Sequence, residues 1–328
     1  YMVEAVYNAS GLGLPIVMTV ANRAIGAPIN IWNDHSDSLS QRDSGWIQIF
    51  AETNQEAADM HIQAFKIAEE LSLPVMVCMD GFVLTHAFER IDVPSQEQVD
   101  KFLPPYEPRQ ELDPDDPVSI GAMVGPEAFT EVRYLAHIKQ LQALELIPQV
   151  QQEFAEIFGR QSGGLVHTYR CEDADIRVVA MGATLGTIKD TVDELREAGH
   201  KIGVVGIKCY RPFPMDAVAE ALEGAKKVVV IDRALAVGSG GVLSRDIMVA
   251  LQKQDVKRYT VIAGLGGRAI TRNSLKKMLA ECEADTLKNF SFMDLDEELV
   301  NRQLERERLT RKTGPLPEAV VRDAAMRQ

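Results

Sequence analysis

The chain has 328 residues, 46% of them hydrophobic and 25% charged, which is material for more than one core and makes two domains the default expectation. A formal charge of −13, with no long Lys/Arg block, argues against nucleic acid as a partner and leaves a poor landing surface for an acidic electron carrier. No apolar run reaches the ~18 residues of a membrane span, no signal-peptide pattern is present, and Cys78, Cys171, Cys209 and Cys282 form no CxxC pair, so they read as reduced thiols rather than disulfides or cluster ligands.

The first residues read as a helix running into Gly11-Leu12-Gly13. Because Tyr1 is not an initiator Met, the native polypeptide is expected to start further upstream. Pro15 to Val20 has the pattern of a short buried strand, a polar loop runs from Ala21 to about Gly45, and Trp46 to Phe50 can form another strand. Thr53 and Glu56 have capping-box spacing, and Ala57, Met60, Ala64, Ile67, Ala68 and Leu71 then recur on one helix face. Val75 to Met79 is continuously apolar, as in a parallel sheet covered on both faces. From Pro94 to about Pro126, prolines interleave with acids, notably Asp113 to Pro117, which predicts an extended connector. A helical stretch over roughly Glu127–Phe158 is expected to be interrupted near Pro148.

A second α/β unit starts after Arg170. Its predicted strands are Ile176–Met181, Ile202–Ile207, Lys227–Ile231 and Tyr259–Ala263. The predicted helices are Thr184–Glu197, a segment ending near Leu222 after Arg211-Pro212-Phe213-Pro214, Val242–Leu251 and Ser274–Cys282. The charged tail from Phe290 to Gln328 reads either as a helix lying on a partner or as a solvated end. The expected fold class is α/β with two parallel-sheet domains.

Several residues could carry chemistry. Arg23 follows the C-terminal end of a strand, where ligands of open α/β sheets bind, among the small neighbours of Asn22, Ala24 and Ile25. A guanidinium there can grip a carboxylate through two parallel hydrogen bonds, although spacing alone favours a surface or structural arginine. Asn33-Asp34-His35-Ser36-Asp37 invites a metal reading, but Asx turns explain it better, leaving His35 as a candidate to face a site. Asp80-Gly81-Phe82, with His86 beyond, is a second ligand-side loop. The glycine-rich turns Gly182–Gly186, Gly238–Gly241 and Gly264–Gly267 match no phosphate-binding fingerprint and read as tight turns. No metal ligands are assigned.

Taken together, ANRAIGAPINIWNDHSDSLSQRDSGWIQIFAETNQEA, MVCMDGFVLTHAFE, VDKFLPPYEP and RPFP resemble the alpha subunits of multisubunit pyruvate:ferredoxin oxidoreductases, from the first residues to about Leu279. The resemblance implies a thiamine pyrimidine-binding domain, of which residues 1–93 are the remainder, then a proline-rich connector and helical segment over 94–170. A transketolase C-terminal-like domain over 171–289 and the tail 290–328 follow. It implies that Arg23 contacts the carboxylate of a 2-oxoacid, reversing the reading from spacing, with Asn22, Ala24, Ile25 and His35 adjacent to substrate. The family's activating glutamate and its threonine near the substrate would fall before Tyr1, so the main pyrimidine contacts are expected upstream.

The same resemblance implies thiamine diphosphate with magnesium shared with a beta subunit, iron–sulfur clusters on partner subunits only, and beta-, gamma- and delta-type partners. Ferredoxin would dock through those partners, with a small 2-oxoacid and coenzyme A as substrates, in a cytoplasmic, anaerobic setting. Pyruvate is the first expectation for the acid, since small side chains around one cation suit a compact monoanion. Branched-chain 2-oxoacids or oxalate are the alternatives within the enzyme reading. A noncatalytic organising subunit and a free-standing nucleotide-binding module are the readings from other classes.

Overall fold

The computed structural model describes residues 2–26, 28–117, 119–310 and 317–326. Helix α1 (Val3–Gly11) leads into strand β1 (Val17–Asn22), followed by the single turn α2 (Ser36–Leu39), strand β2 (Ile47–Phe50), the long helix α3 (Asn54–Leu71) and strand β3 (Val75–Asp80). The three strands are parallel, with β3 between β1 and β2, so Asn22 lies beside Asp80 at their common C-terminal end. All four residues of β2 are buried, as continuous apolarity demands of a strand covered on both faces.

Only half of the expected capping box at α3 forms. The Thr53 hydroxyl accepts from the Glu56 N–H at 3.1 Å. The Glu56 carboxylate, however, accepts from the Glu52 N–H and from Lys208 Nζ, each at 2.6 Å, because a buried lysine from the second unit competes for it.

The connector is more ordered than its prolines suggest. Ser95 and Gln98 cap a short helix, α4 (Gln96–Phe102), reciprocally, and Phe102 is fully buried against the rings of Phe154 and Phe158. Helix α5 (Phe129–Phe158) continues through Pro148 instead of breaking. Pro148 lies on the exposed face, so the carbonyl it leaves unbonded can turn to water while Ile147 and Val150 keep packing. One face of the first sheet is thereby covered by α3 and α5, with Ile47, Ile49, Val75 and Val77 against Met60, Ile67, Ile147 and Phe154. Each such side chain contributes about 1.5–3 kcal/mol when fully buried.

The second unit comprises β4 (Val166–Tyr169), β5 (Ile176–Ala180), α6 (Thr184–Glu197), β6 (Ile202–Ile207), β7 (Cys209–Arg211), α7 (Met215–Ala221) and β8 (Lys227–Asp232). The small hairpin β9 (Leu235–Ala236) and β10 (Gly240–Gly241) precedes α8 (Leu243–Ala250), β11 (Lys257–Ile262), α9 (Arg272–Glu283) and β12 (Phe290–Phe292). Its six-stranded sheet has the order β12-β11-β8-β5-β6-β4, parallel except for β4. The short strands β4, β7 and β12 have no period long enough to announce themselves in the sequence.

Strand β7 is the exception to a clean division. It leaves the second unit and pairs antiparallel with β2, completing the first sheet. Trp46, Phe50, Met76 and Cys78 on the remaining face of the first sheet therefore share one core with Val179, Val205, Ile207, Tyr210 and Val230. In the tail, α10 (Glu297–Thr310) and α11 (Pro317–Ala325) pack on each other, joined by Arg306 and Gln303 to the buried Asp323 carboxylate. The expectation for the tail extends to residues 311–316 and 327–328, which lie outside the described residues.

Candidate functional site

The parallel strands β1, β2 and β3 all end toward one edge, and two loops rise from it, after Asn22 and after Asp80. Their roots are locked together. The Gly81 N–H donates to the Asn22 carbonyl at 3.0 Å, and a Cβ on Gly81 would stand 2.6 Å from that oxygen, so no side chain fits there. The next residue, Phe82, takes a left-handed φ of 62°, costly for any residue with a Cβ, and its N–H is held by Thr85 Oγ1 at 3.0 Å. This turn stacks Phe82 between Trp32, at 5.7 Å, and His86, at 4.3 Å. Trp32 is half-exposed, and Ile25, Ile29, Ile31 and Val83 beside these loops are exposed as well.

The five residues singled out from the sequence fall into two settings. Arg23 is exposed, its backbone N–H is bonded to Asp37 Oδ2 at 2.9 Å, and its guanidinium makes no ion pair or hydrogen bond with any described residue. Ala24 donates its N–H to the Trp32 carbonyl at 3.2 Å, which folds the loop back on itself, and Ile25 stands 55% exposed beside it. Asn22, by contrast, is fully buried, with Nδ2 donating to Asp37 Oδ1 and to Ser38 Oγ. His35 is also buried, its ring edge-on to Phe50 and its Nε2 2.8 Å from Asp80 Oδ1. Arg23, Ala24 and Ile25 thus line the open rim, whereas Asn22 and His35 form its foundation.

That foundation joins Asp80, already singled out as a strand end, to partners the sequence did not reveal. Asp80 Oδ2 accepts from the Ala183 N–H at 2.6 Å and from Arg233 Nη1 at 3.1 Å, and Arg233 Nη1 also donates to Thr184 Oγ1. The His35 N–H donates to the Arg233 carbonyl. Burial opposes a charge on Asp80, but the Arg233 guanidinium and His35 outweigh it and hold the carboxyl down to about 2. The cluster ties the end of β3 to the start of α6 and the end of β8. Arg233 sits one residue past a buried strand, and a cation in that position was the available signal.

The Asn33–Asp37 loop behaves as an Asx-turn segment. Asp34 Oδ1 accepts from the Ser36 N–H at 2.8 Å, while its Oδ2 accepts from the Gly266 N–H at 3.1 Å across the unit boundary. Among the described residues, no three His, Cys, Asp or Glu side chains stand together as a metal cluster, and no helix is long and apolar enough to cross a membrane.

Residues 1–152 match the family described as pyruvate flavodoxin/ferredoxin oxidoreductase, thiamine diP-binding, and residues 174–275 match pyruvate:ferredoxin oxidoreductase core domain II. Pyruvate synthase subunit PorA of Methanosarcina barkeri is 44% identical over 310 residues, spanning 91% of this chain and 77% of that one. The PorA subunit of Methanocaldococcus jannaschii is 46% identical over 287 residues, covering 86% and 73%. Ketoisovalerate oxidoreductase subunit VorA of Pyrococcus horikoshii is 39% identical over 278 residues, covering 84% and 71%. Among solved structures, a 2-oxoglutarate:ferredoxin oxidoreductase from Magnetococcus marinus superposes with a TM-score of 0.54 at 16% identity, over 85% of this chain and 50% of that one, a likeness of fold. The chain belongs to the 2-oxoacid:ferredoxin oxidoreductase family, as an alpha subunit carrying a thiamine diphosphate-binding domain.

Proposed function

We propose that this chain orients a short 2-oxoacid, pyruvate first, for thiamine-dependent oxidative decarboxylation to acetyl-CoA and carbon dioxide with ferredoxin as electron acceptor. The observation that carries the reading is the free guanidinium of Arg23 on an exposed apolar rim at the strand ends. A planar fork with no internal partner is available for bidentate binding of a carboxylate. Holding that carboxylate sets the keto carbon in one attack geometry. The small side chain of Ala24 leaves room for a compact acid, and one free cation matches one negative charge.

The residues present suit one half of the cofactor. Trp32, Phe82 and the exposed isoleucines offer apolar surface to a flat heterocycle. The diphosphate half finds the wrong chemistry at two glycine turns, because the carboxylates of Asp80 and Asp232 lie directly beneath Gly182 and Gly241, 2.7 and 2.6 Å from where a Cβ would be. We therefore assign the diphosphate and its magnesium to a beta subunit, the iron–sulfur clusters to partner subunits, and ferredoxin docking to those partners. Bound thiamine diphosphate supplies the nucleophilic carbon and the electron sink for the reaction. This chain contributes the substrate grip and the scaffold beneath it.

The assignment extends to beta-, gamma- and delta-type partners in a cytoplasmic complex. Within the chain, residues 1–93 and 171–289 would be the two functional domains, linked through 94–170. The test is viologen reduction by the purified complex with pyruvate, 2-oxoisovalerate and 2-oxoglutarate in the presence of coenzyme A, and with oxalate in its absence. Pyruvate is expected to give the highest kcat/KM. A branched-chain acid or oxalate in first place would keep the mechanism and replace the substrate. No reduction by a complex with its cofactor and clusters intact would leave this chain an organising subunit.

A further inference from the structure

Beneath the Arg23 turn lies a carboxylate whose two oxygens are both given to it. Asp37 Oδ2 accepts from the Arg23 backbone N–H at 2.9 Å, and Oδ1 accepts from Asn22 Nδ2 and from the Ser38 N–H, each at 2.7 Å. The fully buried Asn22 makes a second bond to Ser38 Oγ at 2.8 Å, and Gln48 Nε2, from β2, secures the Ser38 carbonyl at 2.7 Å. A bracket built from α2 and braced by β2 thus grips β1 at its last residue and the one after, where the direction of the Arg23 side chain is set.

The chemistry of the bracket is specific to a carboxylate. Burial pushes the Asp37 carboxyl above its usual range, while the bonds from Asn22, Arg23 and Ser38 pull it back. An asparagine could satisfy the Ser38 N–H and the Asn22 amide, as in any Asx turn, but its amide nitrogen would then confront the Arg23 N–H, donor against donor. Two acceptor oxygens are therefore required at this position, one of them by the turn that carries Arg23.

We propose that Asp37 is the positioning residue for Arg23: it fixes the Asn22–Arg23 backbone so that the guanidinium meets the carboxylate of a 2-oxoacid in one orientation. The proposal rests on the reading of Arg23 as the substrate-carboxylate contact. Asp37 touches neither substrate nor cofactor in this role. Its influence passes through one backbone bond and one buried amide.

A double-mutant cycle in the assembled complex tests it, with Arg23→Ala, Asp37→Asn and the two combined, reading KM for pyruvate, kcat, bound thiamine diphosphate and the thermal midpoint. Asp37→Asn is expected to raise KM several-fold while kcat and cofactor content stay near those of the wild type, with the midpoint lowered by the donor left unpaired in the bracket. In the Arg23→Ala background the same substitution is expected to leave KM where Arg23→Ala put it. If Arg23→Ala itself leaves KM unchanged, the reading of Arg23 fails and takes the proposal with it. If Arg23→Ala raises KM but Asp37→Asn does not, or raises it equally in both backgrounds, Arg23 stands and the positioning role is overturned. Should Asp37→Asn not assemble, Asp37→Ser, which keeps a short acceptor for the Ser38 N–H, is put through the same cycle and judged by the same outcomes.

Discussion

Two arginines at the same edge of the molecule are treated in opposite ways. Arg233 is buried, with Nη1 shared between Asp80 and Thr184 and its carbonyl bound by the His35 N–H. Arg23 is exposed, anchored through its backbone alone, with a guanidinium that no described residue engages. The difference separates a cation spent on the scaffold from one left open to a ligand. A buried cation must be paired or it destabilises the fold, whereas a cation left unpaired at a rim has its hydrogen-bonding fork free for a ligand. The two are joined by a short path, since His35 precedes the single turn α2 and Asp37 lies within it.

Breaking the paired side should have the largest effect. Asp80→Ala leaves Arg233, His35 and the Ala183 N–H without their shared acceptor, and removing one partner of a buried pair costs about 3–5 kcal/mol. The expected result is a large drop in the denaturation midpoint of the complex, partly relieved when Arg233→Ala is added, because the second change removes the stranded charge. A midpoint within error of the wild type would show that Asp80 does not hold the two sheets together.

A second buried carboxylate sharpens the contrast by having no cationic partner in contact. Asp232 accepts from the Ser244 N–H through Oδ2, while Oδ1 is buried without a hydrogen-bond partner, and burial raises its carboxyl to about 6. Between the unfolded value near 4 and the folded value, the native state keeps a proton that the unfolded chain has lost. Stability should therefore fall as pH rises through that window and stay at the lower level above it. The amplitude is of order 3 kcal/mol, and Asp232→Asn should abolish that part of the slope. Asp80 runs the other way: its depressed carboxyl stabilises the fold above pH ~4, a contribution lost as pH falls toward 2. Unfolding midpoints measured from pH 3 to pH 8 distinguish the two signs.

The unpaired side should respond in function and not in stability. With Arg23 gripping the substrate carboxylate as proposed, Arg23→Ala should remove a charge-assisted contact of about 1.5–3 kcal/mol, which corresponds to roughly a 10- to 100-fold rise in KM for the 2-oxoacid. The thermal midpoint should not move. A fall in midpoint with KM intact would assign Arg23 to the structure instead.

How much of this could be read in the sequence follows from the range of the interactions. The helix face from Ala57 to Leu71 and the apolar strand Val75–Met79 repeat within a few residues, and both were legible. Asp80, Gly81 and the Asx turn at Asp34 were visible as a strand end and a turn pattern. The partnership of Asp80 with Arg233 spans 153 residues, and that of Lys208 with Glu56 spans 152, so no local pattern encodes either. Strand β7 escaped for a related reason: three residues before a proline have no periodicity, and only their pairing with β2 makes them a strand. Pro148 misled because the rule that proline ends a helix says nothing about which face it occupies. The proposed role of Asp37 needed the backbone hydrogen bond to be seen, since an Asp two residues after a His in a polar loop has many ordinary uses.

The smallest expected effect concerns Phe82, where strain and stacking oppose each other. Its left-handed φ costs about 1–2 kcal/mol for a residue with a Cβ, a cost that glycine would remove. Against this, Phe82→Gly forfeits the stacks with Trp32 and His86, each worth about 0.5–1.5 kcal/mol, and adds the backbone entropy of glycine, about 0.5–1 kcal/mol. The opposing contributions leave a net change between a slight gain and a loss of about 3 kcal/mol, so the midpoint should shift by several degrees at most. The ring platform beside Arg23 would nevertheless be gone. If strain at Phe82 is retained because the rim needs a flat apolar surface, Phe82→Gly should weaken thiamine diphosphate retention during gel filtration while the complex stays assembled. Retention equal to that of the wild type would make the stack a property of the loop alone, and would leave Arg23 as the rim's one functional group.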